Sequence, residues 1–214
     1  MKMSFEWEKR LRKWTISNLM KYIVLGSAIL YVLTAITPGL YRACELTRAG
    51  LLRGEIWRLA TFIFLPASWD LISVALSLYC YWLIGSQLES RWGALRFNLF
   101  YFTGVVATVI VSLIAGYGSI THLNMSLFLA FAILYPEYPI LLFFILPVRM
   151  KYIALLDLII MAISFITGGW ATRLGILVAI GNIMLFLGGD FITWMRRTTR
   201  DLKTRWAFRR KMRM

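Results

Sequence analysis

The 214-residue chain has one histidine, two cysteines, five prolines and only 16% charged residues, and each scarcity excludes something. A soluble domain of this size carries about a quarter charged residues. The low charge, with 60% hydrophobic content and a mean hydropathy of +0.70, therefore excludes a cytosolic globule. Cys44 and Cys80 have neither metal-ligand spacing nor the numbers for a disulfide framework, and no cofactor is expected. Because His122 is the only histidine, any chemistry that needs an imidazole must use that residue. Acids are scarce too, 10 against 24 Lys and Arg, for a net charge of +14. In a membrane protein such an excess faces the cytoplasm and its anionic lipid, so it does not call for nucleic acid.

What is abundant is uncharged length. No Asp, Glu, Lys or Arg occurs among the 20 residues between Lys21 and Arg42, or among the 40 between Arg96 and Glu137. These runs predict an all-α polytopic membrane protein with six spans, at about 19–38, 70–88, 97–116, 122–136, 152–168 and 173–194. The 40-residue run is too long for one crossing, and Gly116-Tyr117-Gly118-Ser119 divides it. Residues 39–58 mix Arg with Leu and Trp and suit a loop lying at the lipid interface. Glu89 to Arg96 reads as a short charged turn, and the proline-bounded stretch from Pro139 to Pro147 as re-entrant or interfacial. There is no internal repeat and no low-complexity tract.

The organisation expected is a basic amphipathic arm over 1–18, a six-span domain over 19–195 and a basic tail over 196–214. The arm has the spacing of an interfacial helix, and the apolar run after it is longer than a signal peptide requires. With both termini cytoplasmic, the inner face holds six basic residues up to and including Lys21, Arg91 and Arg96, Arg149 and Lys151, and nine in the tail, 19 in all against five outside. The positive-inside rule supports that topology, in the plasma membrane if the source is bacterial. Arm and tail are expected to bind anionic lipid.

Three segments carry a pattern. The first is Gly54-Glu55-Ile56-Trp57-Arg58 in the first loop. The second is Gly85-Ser86-Gln87-Leu88-Glu89-Ser90-Arg91-Trp92-Gly93, continued by Arg96-Phe97, Tyr101 and Gly104. The third is Leu134-Tyr135-Pro136, followed by the apolar stretch to Pro147-Val148 and Lys151. In this order they resemble the rhomboid superfamily, over about residues 20–190. The resemblance implies a six-span core, a Trp-Arg motif in a membrane-dipping first loop and a Gly-x-x-Leu-Glu turn after span two. On that reading Trp57, Arg58, Gly85, Glu89, Gly93 and Arg96 are fold motifs. Arg58 suits carbonyls or lipid phosphate, and Glu89 backbone donors or Arg91 and Arg96.

Active rhomboid proteases use a Ser in Gly-x-Ser-Gly at the start of span four, activated by a His on span six, because a hydroxyl attacks poorly until a base takes its proton. No Gly-x-Ser-Gly occurs here, and the family's spacing puts the nucleophile position near Thr121. Ser119 and Ser126 lack the flanking glycines. Span six has no histidine; Ile180 or its neighbours occupy the expected base region, and Asp190 falls at the opposite end beside Arg196 and Arg197. The oxyanion-stabilising positions of span two fall near Ser73 and Ser77, a further deficit for acyl transfer. His122, one residue from Thr121, has nothing to orient it as a base. The resemblance thus points to a protease-dead, derlin-like pseudoprotease with no catalytic residues. Such a protein would bind transmembrane segments of client membrane proteins, with Thr121, His122, Asn124, Ser126 and Asn182 as a polar client site. No derlin-type recruitment motif is visible in the tail. Residual proteolysis by Ser119, Thr121 or Ser126 is one alternative. A transporter, scramblase or assembly factor using Asn124, Asn182 and Asp157 is another. Asp157 is expected to pair with Lys151 or Arg149, and proton transport would need a chain of polar groups that the spans do not show.

Overall fold

The computed structural model describes residues 15–66, 68–142 and 146–188. The arm to residue 14 and the tail with Asp190, Arg196 and Arg197 lie outside those residues.

The elements run α1 (Leu19–Ile36), α2 (Pro38–Cys44), β1 (Leu46–Thr47), α3 (Arg48–Leu52), α4 (Arg58–Thr61), a 3-10 turn (Phe62–Phe64), α5 (Leu71–Trp92), α6 (Ala94–Ala115), β2 (Tyr117–Gly118), α7 (Ile120–Leu134), β3 (Pro139–Leu142), β4 (Leu146–Arg149) and α8 (Met150–Thr167). A final helix, α9, follows (Trp170–Gly188). The protein is an all-α polytopic membrane protein. Among the described residues, α1, α5, α6, α8 and α9 are long and apolar enough to cross a membrane. At about 1.5 Å per residue, the 15 residues of α7 reach only about 22 Å, short of a 30 Å hydrocarbon core. The neighbours of α7 make up for its length by enclosing it. Ile120, Leu123, Leu127, Ala130 and Phe131 are buried along it, and α5, α6 and α8 all pack against it.

The ends of the helices follow from local chemistry. Thr37, ahead of Pro38, leaves the helical region and closes α1. Asp70 caps α5 by accepting from the Ser73 N–H at 2.9 Å, and that bond holds its carboxyl below the ordinary range. Gly93, at φ 81°, and Gly116, at φ 90°, end α5 and α6 in a backbone region that side chains resist. Ser119 caps α7, its hydroxyl accepting from the Thr121 N–H at 3.2 Å.

Two expectations need correction. The charged turn expected from Glu89 to Arg96 is a single residue, Gly93. Helix α5 runs on through Glu89 and Arg91 to Trp92, and Arg96 already lies in α6. The stretch expected to be re-entrant or interfacial, for which no strands were foreseen, is a β-hairpin, β3 antiparallel to β4 with Pro139 opposite Arg149. A second pair, β1 with β2, sets Leu46 opposite Gly118 and staples the first loop to the α6–α7 connection.

The polypeptide has two ends, named here by what lies there. The turn end holds Gly93, the start of α1 and the finish of α9. The loop end holds residues 37–70, the α6–α7 connection and the start of α9. At the turn end the Asn18 N–H donates to the Glu89 carboxylate at 2.6 Å, and an Arg96 guanidinium N–H donates to the Phe186 carbonyl at 2.7 Å. Arg96 also stands over the Trp92 ring at 5.4 Å, and Trp92, Phe100 and Phe186 continue the stack edge to face. Glu89 and Arg96 thus tie the first and last crossings to the α5–α6 hairpin. Gly85 lets α1 approach closely, since a Cβ there would enter the Met20 side chain.

Candidate functional site

The first loop is organised by Arg58. Its guanidinium donates to the carbonyls of Arg42 at 2.7 Å and Glu45 at 2.6 Å, and its Nε to the Glu55 carboxylate. A Cβ on Gly50 would occupy the space the guanidinium fills, so the glycine makes the pocket in which Arg58 lies. Trp57 donates its indole N–H to the Ala43 carbonyl at 3.2 Å while its ring stays exposed. Of the two roles expected for Arg58, the carbonyl-binding one is what the fold uses, because α2 ends with unpaired carbonyls beside it.

The five residues expected to form a polar client site are split among four places. Thr121 and His122 stand at the loop end of α7. Ser119 donates its hydroxyl proton to Thr121 Oγ1 at 2.9 Å. The His122 ring packs on α9 at Gly175, where a Cβ would come within 2.5 Å of Nδ1. A cavity of about 60 Å³ opens here, lined by Thr108, Tyr117, Ser119, His122, Thr172 and Gly175 among others. Burial raises the Tyr117 hydroxyl, with the charge of Glu45 adding to the effect. Asn124 faces another way, toward α5, where it lines a small cavity with Ser77 and Tyr81. Ser126 is fully buried and donates to the Leu123 carbonyl of its own helix at 2.7 Å. Asn182 on α9 donates to the Phe100 carbonyl at 3.2 Å and accepts from Thr103 at 3.1 Å, binding α9 to α6.

The α9 residues across from Thr121 and His122 are Ala171, Thr172, Gly175 and Val178. Ile180 itself, one of the residues expected in the base region, is 43% exposed and faces outward. None of the facing residues can accept a proton at neutral pH. Ser73 is exposed and its N–H serves the Asp70 cap, whereas Ser77 lines a small cavity with Tyr81 and Asn124. Among the described residues no group of His, Cys, Asp and Glu is placed to hold a metal ion.

The expected pairing of Asp157 with Lys151 or Arg149 does not occur. Both cations are held by Glu137, at 2.6 and 2.8 Å, because the β-hairpin folds them back onto the end of α7. Lys151 first and then Arg149 hold the Glu137 carboxyl below its ordinary range. Asp157 instead turns inward, and its Oδ2 is buried without a hydrogen-bond partner. Tyr101, part of the second sequence segment, and Tyr81 and Asn98, not singled out from the sequence, are also buried or half-buried polar groups inside the bundle. A tyrosine or asparagine in the middle of an uncharged span was the available signal.

Residues 53–197 match the family model of the Rhomboid domain. No curated protein and no solved structure matches the chain.

Proposed function

The chain belongs to the rhomboid family, and from that premise we propose that it is a non-catalytic member, a pseudoprotease of derlin-like kind, that binds transmembrane segments of client membrane proteins. The observation that carries this reading is the fate of the single histidine. In an active rhomboid the base stands on the last span opposite the nucleophile; here the last span brings Gly175 to that place, and His122 fills the space from the α7 side. The Arg58-centred loop and the ties through Glu89 and Arg96 are kept in full, so the scaffold persists where the chemistry does not. Helix α8 supports a lateral client site, since Leu155, Leu156, Ile159, Ile160 and Ile163 leave most of its surface unpacked. In this reading both termini face the cytoplasm and their basic residues bind anionic lipid.

A photoreactive residue at Leu156 or Ile160, in liposomes containing a helical reporter, tests it. The expected result is an intact crosslinked adduct and no cleavage product. A crosslink no stronger than that from a residue on an unrelated membrane protein would remove the reading.

One observation favours a second reading, residual proteolysis. Ser119 and Thr121 share a hydrogen bond at the rim of the cavity that His122 lines. Reporter cleavage that disappears in the triple variant Ser119→Ala, Thr121→Ala, His122→Ala would establish it; labelling by a fluorophosphonate would identify the nucleophile.

A further inference from the structure

The polar groups left over from the fold are not scattered. Asn98 is 5% exposed, and neither its Oδ1 nor its Nδ2 has a hydrogen-bond partner. Tyr101, one turn further along α6, is 1% exposed with an unpartnered hydroxyl. Residues three apart share a helix face, and long side chains lean toward the helix start, so Tyr101 leans over the turn that bears Asn98. Tyr81, on α5, is within electrostatic reach of both Tyr101 and Asp157 and shares a small cavity with Asn124. That cavity, of about 20 Å³ with room for one water, is lined by Ser27, Ser68, Ser77, Tyr81 and Asn124 together with eight apolar residues. From the turn end the sequence of groups is therefore Asn98, Tyr101, Tyr81, Asn124 and the serine-lined cavity. Three helices supply them, so none of the spans shows the series by itself.

We propose that these groups form a buried polar file holding a chain of internal water molecules, and that Asp157 beside it is a carboxyl that exchanges protons with the file. Buried polar atoms without partners are costly, and internal water is the usual partner when the site is polar. An apolar bundle has no reason to retain Asn98 with both amide atoms unpaired unless something small and polar occupies its surroundings. Water fits all four unpartnered atoms, because it donates to Asn98 Oδ1, Tyr101 Oη and Asp157 Oδ2 and accepts from Asn98 Nδ2. The step is proton transfer alone. The Asp157 O–H gives its proton to a water oxygen, that water passes one of its own protons onward, and no electrons change owner.

The surroundings suit a lone exchanging carboxyl. Among the described residues, Tyr81 of α5 is within electrostatic reach of Asp157, and His122 of α7 is packed on α9. The cations at the foot of α8, Arg149 and Lys151, are taken by Glu137, and Arg173 of α9 is bound to the Phe165 and Ile166 carbonyls at the far end.

Infrared spectroscopy of the full chain in lipid nanodiscs tests this, using the carboxylic C=O stretch that Asp157→Asn removes. On transfer to heavy water the wild-type band is expected to shift by the first spectrum. In Asn98→Leu, which closes the file with an apolar side chain, the shift is expected to slow by about tenfold or more. Asn98→Ser keeps a polar group and is expected to exchange like wild type. If Asn98→Leu does not fold, Tyr101→Phe, which removes only Oη, reads the same step. A band that stays unshifted for hours in the wild type overturns the proposal, as does exchange in the closed variant as fast as in wild type. The absence of any Asp157 band across the range in which carboxyls titrate overturns it too.

Discussion

Replacing Arg58 by alanine removes three bonds at once: to the Arg42 carbonyl, to the Glu45 carbonyl and to the Glu55 carboxylate. Hydrogen bonds from a charged donor contribute about 1.5–3 kcal/mol each. The bond to Arg42 lies in an exposed setting and is discounted, and the Glu55 pair is an i,i+3 contact of the small surface kind. The loss sums to about 3 kcal/mol, and most of it falls on the first loop. Because α1 and α5–α9 pack without Arg58, the helical bundle survives and the loop opens locally. About 3 kcal/mol corresponds to about a hundredfold rise in the open population. The backbone N–H groups of Arg48, Arg53 and Glu55, bonded to Gly116, Ala49 and Gly50, report it directly by hydrogen exchange. Their exchange is expected to accelerate about a hundredfold in Arg58→Ala, while amides of α6 and α7 keep their rates. Arg58→Lys places one ammonium where a planar fork reached two carbonyls, so an intermediate acceleration is expected. Loop amides unchanged within a factor of about three would refute the assignment of Arg58 as the organiser of the loop.

Glu89→Ala leaves the Asn18 N–H without its charged acceptor and is expected to lower stability by about 1.5 kcal/mol, with faster exchange confined to the start of α1. Asn182→Leu removes the two bonds that Asn182 makes from α9 to α6; hydrogen bonds between membrane helices average about 0.6 kcal/mol, so a loss of about 1 kcal/mol is expected in unfolding titrations. Gly104→Val drives a side chain into Leu123 and against Asn182, and overpacking of this kind is expected to cost about 1–3 kcal/mol in the same titrations. Glu137 has a folded-state pKa below its unfolded value, so its contribution is full above the ordinary carboxylate range and is lost as pH falls through the lower folded value. Glu137→Gln is therefore expected to separate from wild type in Tm at neutral pH and to converge with it in acid.

The helices were legible because lipid imposes a simple rule: long stretches without charge, broken at Gly116, Pro38 and Pro136, are where the helices lie. The first-loop motif was legible as well, since Trp57 and Arg58 are adjacent in sequence and use carbonyls only a dozen or so residues away. What sequence spacing hides is partnership across the bundle. Asp157 is nearest Lys151 along the helix, yet the β-hairpin brings Glu137 to that cation first. Asn182 was grouped with His122 as a polar residue of facing spans, but its face of α9 meets Phe100 and Thr103. Rotation about a helix axis decides such matters, and apolar residues on every side of a membrane helix leave no stripe from which to read it.

The shortness of α7 also constrains how the protein is made. A helix of about 22 Å that leaves the ribosome alone cannot settle across hydrocarbon with both ends at headgroups. It needs α5 and α6 already in place, and the pairing of Leu46 with Gly118 gives the growing chain an anchor just before α7 begins. The helices before it thus act as a mould into which α7 is cast, and the chain acquires its centre only after its first wall is standing.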